Sequence, residues 1–491
     1  MPADPRTPVL VGVAAVSQRE EDPGNAREPI ELMTLALERA AEDAGSRALL
    51  ARADRIAAPR GFWDYADPCR LAAERLGAAR ARSEVAEIGV LQTTLLGRAA
   101  HAIANDEADV VLVMGGEAKY RQQRAARAGR EAPLTRQTGV SPDTVLRPAS
   151  EIVSRLEIEA GLTMAVRPYA LIENALRAAE GQGLDAHRRA VAELWSRMSR
   201  VAAQNPDAWS REVVTADAIR EPGGRNRMLA FPYTALHNSQ WNVDQAAGLV
   251  FCSLATARAL GIPREKWVFP LALAESNHMR ALSERRALHR CPGFALAAER
   301  ALARAGRKAR EIAHLELYSC FPVAVRVQAR ELGIDEARPL TVTGGMAFAG
   351  GPLNNFVYQA LVRMAQVLRA DPGAAGLLTA VSGILTKQGV SVWSTEPGAE
   401  RFGVDDVSEQ TARAVEAVGV VGPVDGVGSV ATYTVLFEGA APERSVLLCD
   451  LDDGRRALVS TPDPALAALA TTEELCGRRV RLGATGSVEL A

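Results

Sequence analysis

The sequence has little with which to hold a metal ion or a disulfide frame. Its six cysteines are scattered at 69, 252, 291, 320, 449 and 476 with no CxxC pair, and its six histidines are equally dispersed. In a chain of this size such thiols are expected to stay reduced, in a cytoplasmic protein, with no metal site. An excess of one charge is also missing: 57 basic residues against 59 acidic ones leave a formal charge of -2. That balance excludes a general electrostatic pull toward nucleic acid or an anionic membrane. No run of about 18 apolar residues exists to cross a bilayer. The opening MPADPRTPVLVGVAAVSQREED lacks the long apolar core of a signal peptide.

What is present is the material of a large α/β protein. With 491 residues, the chain is too long for one ordinary core. PVLVGVAAV (8–16) reads as a buried strand. The helix after it sets Ile30, Met33, Leu37 and Ala41 on one face and stops at Gly45. SEVAEIGV is strand-like, LQTTLLGRAAHAIANDE is a helix of small residues, and ADVVLVMGGEA (108–118) is an apolar run suited to an inner strand. The second half repeats this order with FALAAERALARAGRKA, HLELYSCF, PLNNFVYQALVRMAQVLRA, GLLTAVSG and VSVWST. The first helix and the long helix begin roughly 60 residues apart in each half (30 to 91, 294 to 352), which points to an internal duplication.

Two regions depart from this pattern. Residues 119–235 carry YRQQRAARAGREAPLTRQ and several amphipathic helical pieces, as an excursion from the first unit would; VDQAAGLVF then resumes it. The last 90 residues or so alternate with period two through GSVATYTVLFEG, RSVLLCDLDDGRRALVST and GRRVRLGATGSVEL, and DDG is a hairpin turn signal. The expected division is 1–118 with 236–264 as one half, 119–235 as an inserted domain, 265–402 as the other half, and 403–491 as a small β-domain.

TVTGGMAFAGGPLNNF (341–356) opens directly into the long helix, and Gly344, Gly345, Gly350 and Gly351 let backbone approach something closely. Taken together and in order, ADVVLVMGGEA, VDQAAGLVF, LELYSCF, GGMAFAGGPLNNF and SGILTKQG resemble the landmarks of the thiolase superfamily over roughly residues 8–400. The β-rich tail resembles the extra C-terminal OB-like domain of thiolase-like protein type 1, a subgroup of bacterial relatives. The resemblance implies a duplicated five-layered α/β/α/β/α fold with an inserted loop domain, a small C-terminal all-β barrel, and a ligand of the coenzyme A or acyl-CoA kind.

It also implies a cysteine nucleophile, an activating histidine and a second acid/base cysteine, because a thiolate must be made near neutral pH, acylated and then relieved. The residues at those places are different. Gly89 falls where the nucleophile belongs, and no cysteine lies between 70 and 251. Gly351 takes the place of the histidine, Gly383 (or Ser382, one residue away) that of the second cysteine, and Tyr318 that of the Asn or His of the oxyanion region. A glycine neither takes a proton nor forms a thioester.

Other residues offer themselves. Cys320 is the remaining thiol nearest the expected site, with Tyr318 or His237 as partner, although small packing residues also occupy such loops. His237 among Asn, Ser and Gln reads equally as hydrogen-bonded structure. Lys387 would meet an anionic thioester oxygen or stay solvated. Arginines 121, 124, 127 and 130 recur every three residues, as phosphate ligands of coenzyme A or as a solvated face. The binding residues expected are therefore Gly344, Gly345, Gly350, Gly351 and Lys387. Three functions follow: a thioester-binding relative of acetyl-CoA acetyltransferases without thiolase chemistry; an active acyltransferase using Cys320 or another group; or a scaffold, monomeric or homodimeric, that meets a protein partner through its β-domain.

Overall fold

The computed structural model describes residues 4–490. Two sheets carry the core. The first has six strands in the order Pro8–Ser17, Asp244–Ser253, Val110–Ala118, Arg55–Pro59, Arg82–Ala86 and Thr144–Leu146. Strands Val110–Ala118 and Asp244–Ser253 are buried along their whole length, as continuous apolar runs require when helices cover both faces. In the second sheet the order is His314–Glu316, Ala375–Ser382, Lys387–Ser394, Phe269–Ser276 and Val404–Asp406.

Between the sheets lie two helices, Gln92–Ala104 and Phe356–Ala370, and each touches both sheets. Their shared core includes Leu95, Leu96, Phe251, Leu273, Leu361 and Trp393. Helices Pro29–Asp43 and Pro68–Leu76 cover the outer face of the first sheet, and Pro292–Arg304 covers that of the second. These five layers are the α/β/α/β/α arrangement that the resemblance implies. The first outer helix starts cleanly because Glu28 and Glu31 form a reciprocal capping box and Pro29 holds the first turn.

The segment after Ala118 builds a helical layer over the second half. Helices Val166–Ala179 and Leu184–Gln204 pack on Pro322–Glu331. A buried ion network binds them: Glu173 accepts from His187 at 2.9 Å and pairs with Arg326 at 3.2 Å, while Arg326 also reaches Glu180 at 2.8 Å. Despite burial, these partners hold the Glu173 carboxyl down at about 2.

The C-terminal region has its own small core, with Val435, Leu447, Val459 and Leu466 among its members. Its principal strands are Gly426–Glu438, Ala441–Leu451, Arg456–Thr461 and Arg479–Leu482. One helix, Pro464–Thr472, accompanies them. Asp463 caps it through the amides of Ala465 and Leu466, and the alanine-rich run carries it on. The short strand Met228–Ala230 of the inserted region pairs with Gly426–Glu438 and so joins this sheet. Asn174 fastens the same junction, donating to the carbonyls of Phe231 and Tyr433 at 3.1 and 2.8 Å. Strand Val404–Asp406 pairs instead with Phe269–Ser276 of the core, so the chain leaves the second sheet only after it. No helix among the described residues is long and apolar enough to cross a membrane.

Candidate functional site

Strand Arg82–Ala86 ends in a turn at 87–91 that leads into the central helix Gln92–Ala104. Gly89 sits in that turn with φ of 101°, a left-handed conformation that disfavours any side chain. Its carbonyl is claimed twice: Lys387 Nζ donates to it at 2.8 Å and Ser382 Oγ at 3.0 Å. Ser382 and Lys387 face each other across the hairpin whose turn contains Gly383. The expected nucleophile position and the expected second-cysteine position therefore meet, joined by hydrogen bonds to a backbone oxygen. Lys387 is buried, and desolvation lowers its pKa. A loop lysine is thus a buried donor whose partner is already present.

The loop after His314–Glu316 brings in Tyr318 and Cys320. Thr379 and Gln328 hold the Tyr318 backbone, and its ring stands edge-on to Phe356 at 5.9 Å. Burial raises the Tyr318 phenol, with the Gln92 side chain opposing the shift. Burial likewise pushes the Cys320 thiol up to about 12, opposed by a hydrogen bond with Tyr169. The nucleophilic form of a cysteine is the thiolate, and this environment disfavours it. Tyr169 continues the cluster, donating to the Gly383 carbonyl at 3.3 Å. Ser239 donates to the Cys320 carbonyl at 2.9 Å, and a side-chain carbon at Gly351 would stand 3.1 Å from Ser239 Cβ. Gly89, Tyr318, Cys320, Gly351 and Gly383 thus belong to one connected cluster.

His237 serves a different purpose. Its Nδ1 accepts from the Thr234 amide at 3.1 Å, closing a short helical turn, and its pKa falls to about 3 because the ring is fully desolvated. No hydrogen bond links it to Cys320 among the described residues. Three of the four arginines in the series have protein partners: Arg121 bonds the Ala26 carbonyl, Arg124 the Glu21 carbonyl, and Arg130 pairs with Asp22 at 2.8 Å.

The glycine loop is shaped by a residue that pattern reading did not single out. Glu316, buried in the strand before Tyr318, accepts from the amides of Val342 and Thr343 at 2.8 and 2.9 Å. The hydroxyls of Thr341 and Thr343 bond the same carboxylate. Desolvation raises its pKa to about 7 against those four donors. The signal was legible in part: a lone acid inside HLELY, and a Thr-x-Thr just before the glycines. What the glycines approach is protein. A side chain at Gly344 (φ 96°) would overlap the backbone of Ala202 on helix Leu184–Gln204. At Gly345 it would meet Met198 Sδ at 3.0 Å, and at Gly350 it would overlap the side chain of Gln245.

Solved structures give the context for this arrangement. Over 99% of both chains, a monomeric SCP2-thiolase-like protein type 1 from Mycobacterium smegmatis superposes with a TM-score of 0.83 at 30% identity. The chain belongs to the SCP2-thiolase-like family. An Ltp2–ChsH2(DUF35) aldolase shares the fold of this thiolase-like protein at a TM-score of 0.57 and 18% identity, over 80% of this chain and 99% of that one. So does the dimeric peroxisomal thiolase of Saccharomyces cerevisiae, at 0.55 and 16%, over 80% and 98%. No protein-family model matches the sequence, and no curated protein matches it. For this thiolase-like protein the fold is therefore fixed by its relatives, and the chemistry has to be read from its own side chains.

Proposed function

We propose that this thiolase-like protein binds a coenzyme A thioester, or a closely related thioester, and does not carry out thiolase chemistry. One observation carries the second half of that reading. Gly89, which the resemblance aligns with the nucleophile, presents a backbone carbonyl held by Lys387 and Ser382. Gly89 itself carries no side chain to take a proton or form a thioester, and both Ser382 Oγ and Lys387 Nζ are engaged as donors to its carbonyl. The first half is supported by the thiolase-like fold, in which the residues that the resemblance aligns with the catalytic set lie in one cluster beside the start of a central helix. A monomer fits this reading, since the Mycobacterium smegmatis relative is described as monomeric.

The rival acyltransferase reading uses Cys320 or another group as nucleophile, and for Cys320 the upward shift of the thiol opposes it. Calorimetry with acetyl-CoA and with coenzyme A tests the proposal. Saturable binding to the intact protein, with no free thiol released over hours, is the expected result. Absence of binding at millimolar ligand defeats the binding half and favours a scaffold.

A further inference from the structure

A cavity of about 300 Å³ lies beside the turn at 383–386, lined by Leu385, Thr386 and Gln388 but not by Lys387. Lys387 and Gln388 are consecutive in one strand, so their side chains leave on opposite faces. Lys387 goes to Gly89, and Gln388 goes to this cavity. The volume is at the lower end of small-molecule sites, too small for a whole coenzyme A.

The wall of the cavity carries a positive charge without a matching negative one. Three of its arginines are neutralised: Arg280 by Glu284 at 3.2 Å, Arg286 by Glu416 at 3.5 Å and Arg290 by Glu331 at 2.7 Å. Arg285 is the exception. It is 95% buried by its 5% exposure, and among the described residues no carboxylate lies within 4.0 Å of it. Its guanidinium bonds only the carbonyls of Arg280, Ile384 and Leu385. The carboxylate of Glu157 acts on it from farther away and is itself engaged by the amides of Ser283 and Ser154. A buried, unpaired guanidinium is costly, and an anion is what relieves it.

Two further features point the same way. The side-chain oxygen of Gln388, itself 98% buried by its 2% exposure, has no hydrogen-bond partner. Its orientation is set because its nitrogen donates to Cys291 Sγ at 3.0 Å and to the Leu385 carbonyl at 3.2 Å. The buried nitrogens His278 Nε2 and Arg280 Nε are likewise unpartnered on the cavity wall. The 13-residue helix Pro292–Arg304 also begins at this wall, with its positive end toward the space.

We propose that this cavity binds a small organic carboxylate, with its anionic end against Arg285 and a hydrogen-bond donor on its body facing the Gln388 side-chain oxygen. A single carboxylate matches the single unpaired charge, and Pro292, Leu385 and Val415 suit a short carbon skeleton. This site is separate from the thioester reading and stands or falls without it.

The test uses the full chain with 3-hydroxybutyrate, butyrate and inorganic phosphate as probes, in calorimetry and thermal unfolding. The expected result is a saturable rise in Tm with 3-hydroxybutyrate, a weaker one with butyrate, and less with phosphate. Arg285→Gln should weaken 3-hydroxybutyrate binding by about thirtyfold or more. Because that variant also frees three carbonyls, Ala414→Trp provides a second route, filling the cavity from an exposed position of its wall. It should abolish carboxylate binding while coenzyme A binding, measured in parallel, is unchanged. No saturable effect of any probe on the wild type would make Arg285 a carbonyl clamp and overturn the proposal. Phosphate binding more tightly than either acid would overturn the ligand class.

Discussion

Gly344→Ala tests what the glycine loop is for. The residue is left-handed at φ 96°, and an added side-chain carbon would overlap the backbone of Ala202 in helix Leu184–Gln204. Left-handed backbone costs a non-glycine residue about 1–2 kcal/mol. Forcing a carbon into a packed contact costs roughly 1–3 kcal/mol more. The lost flexibility of the unfolded chain returns about 0.4–1 kcal/mol. The variant should therefore be destabilised by about 1–4.5 kcal/mol. Gly373 is the control, because its φ of 86° is similar and nothing lies within 4 Å of the added carbon. Gly373→Ala should lose only the backbone part, about 0–1.5 kcal/mol. Urea unfolding followed by tryptophan fluorescence reports both, since Trp195 lies on the helix in question. Equal losses for the two variants would refute the packing argument, and a Gly344→Ala protein of unchanged stability that loses thioester binding would assign the loop to the ligand.

Two further predictions concern buried titratable groups. Burial raises Glu316 from 4.5 to about 7, so the folded protein keeps this proton to a higher pH than the unfolded chain does. Its contribution is fully present below pH 4.5 and is lost as pH rises toward about 7. The stability difference between wild type and Glu316→Gln should move by roughly 2–3 kcal/mol in the variant's favour between about pH 5 and pH 8; a flat difference would contradict it. His237, desolvated and with its pKa lowered to about 3, should show no imidazole titration by NMR between about pH 5 and pH 8. A midpoint in that range would mean the ring reaches solvent or an acid.

The elements that repeat a simple period were readable in advance. Apolar runs such as Val110–Ala118 and Asp244–Ser253 became inner strands, and the two central helices began where the glycine turn and the LQTT stretch place them. The convergence of Gly89 with Ser382 followed from motif order, because the fold brings those turns together whatever residues fill them. The partners were not readable. Lys387 looks like a loop lysine until the hairpin turns it toward the Gly89 carbonyl. The glycines announce close approach but not whether ligand or protein approaches, since a thioester and the helix at Ala202 demand the same missing side chain. Arg285 sits among paired arginines in ERRALHR, and only burial sets its charge apart. Helix Pro464–Thr472 was hidden by the alternating strands on either side of it, although Asp463 and Pro464 are a good helix start.

The central claim is that the family's reacting positions are assembled here without a reacting side chain. Intact-mass spectrometry of the protein held with saturating acetyl-CoA tests it most directly. The account predicts an unmodified chain and no release of free coenzyme A above the uncatalysed rate. An acetyl adduct on the wild type that disappears in Cys320→Ser would contradict it.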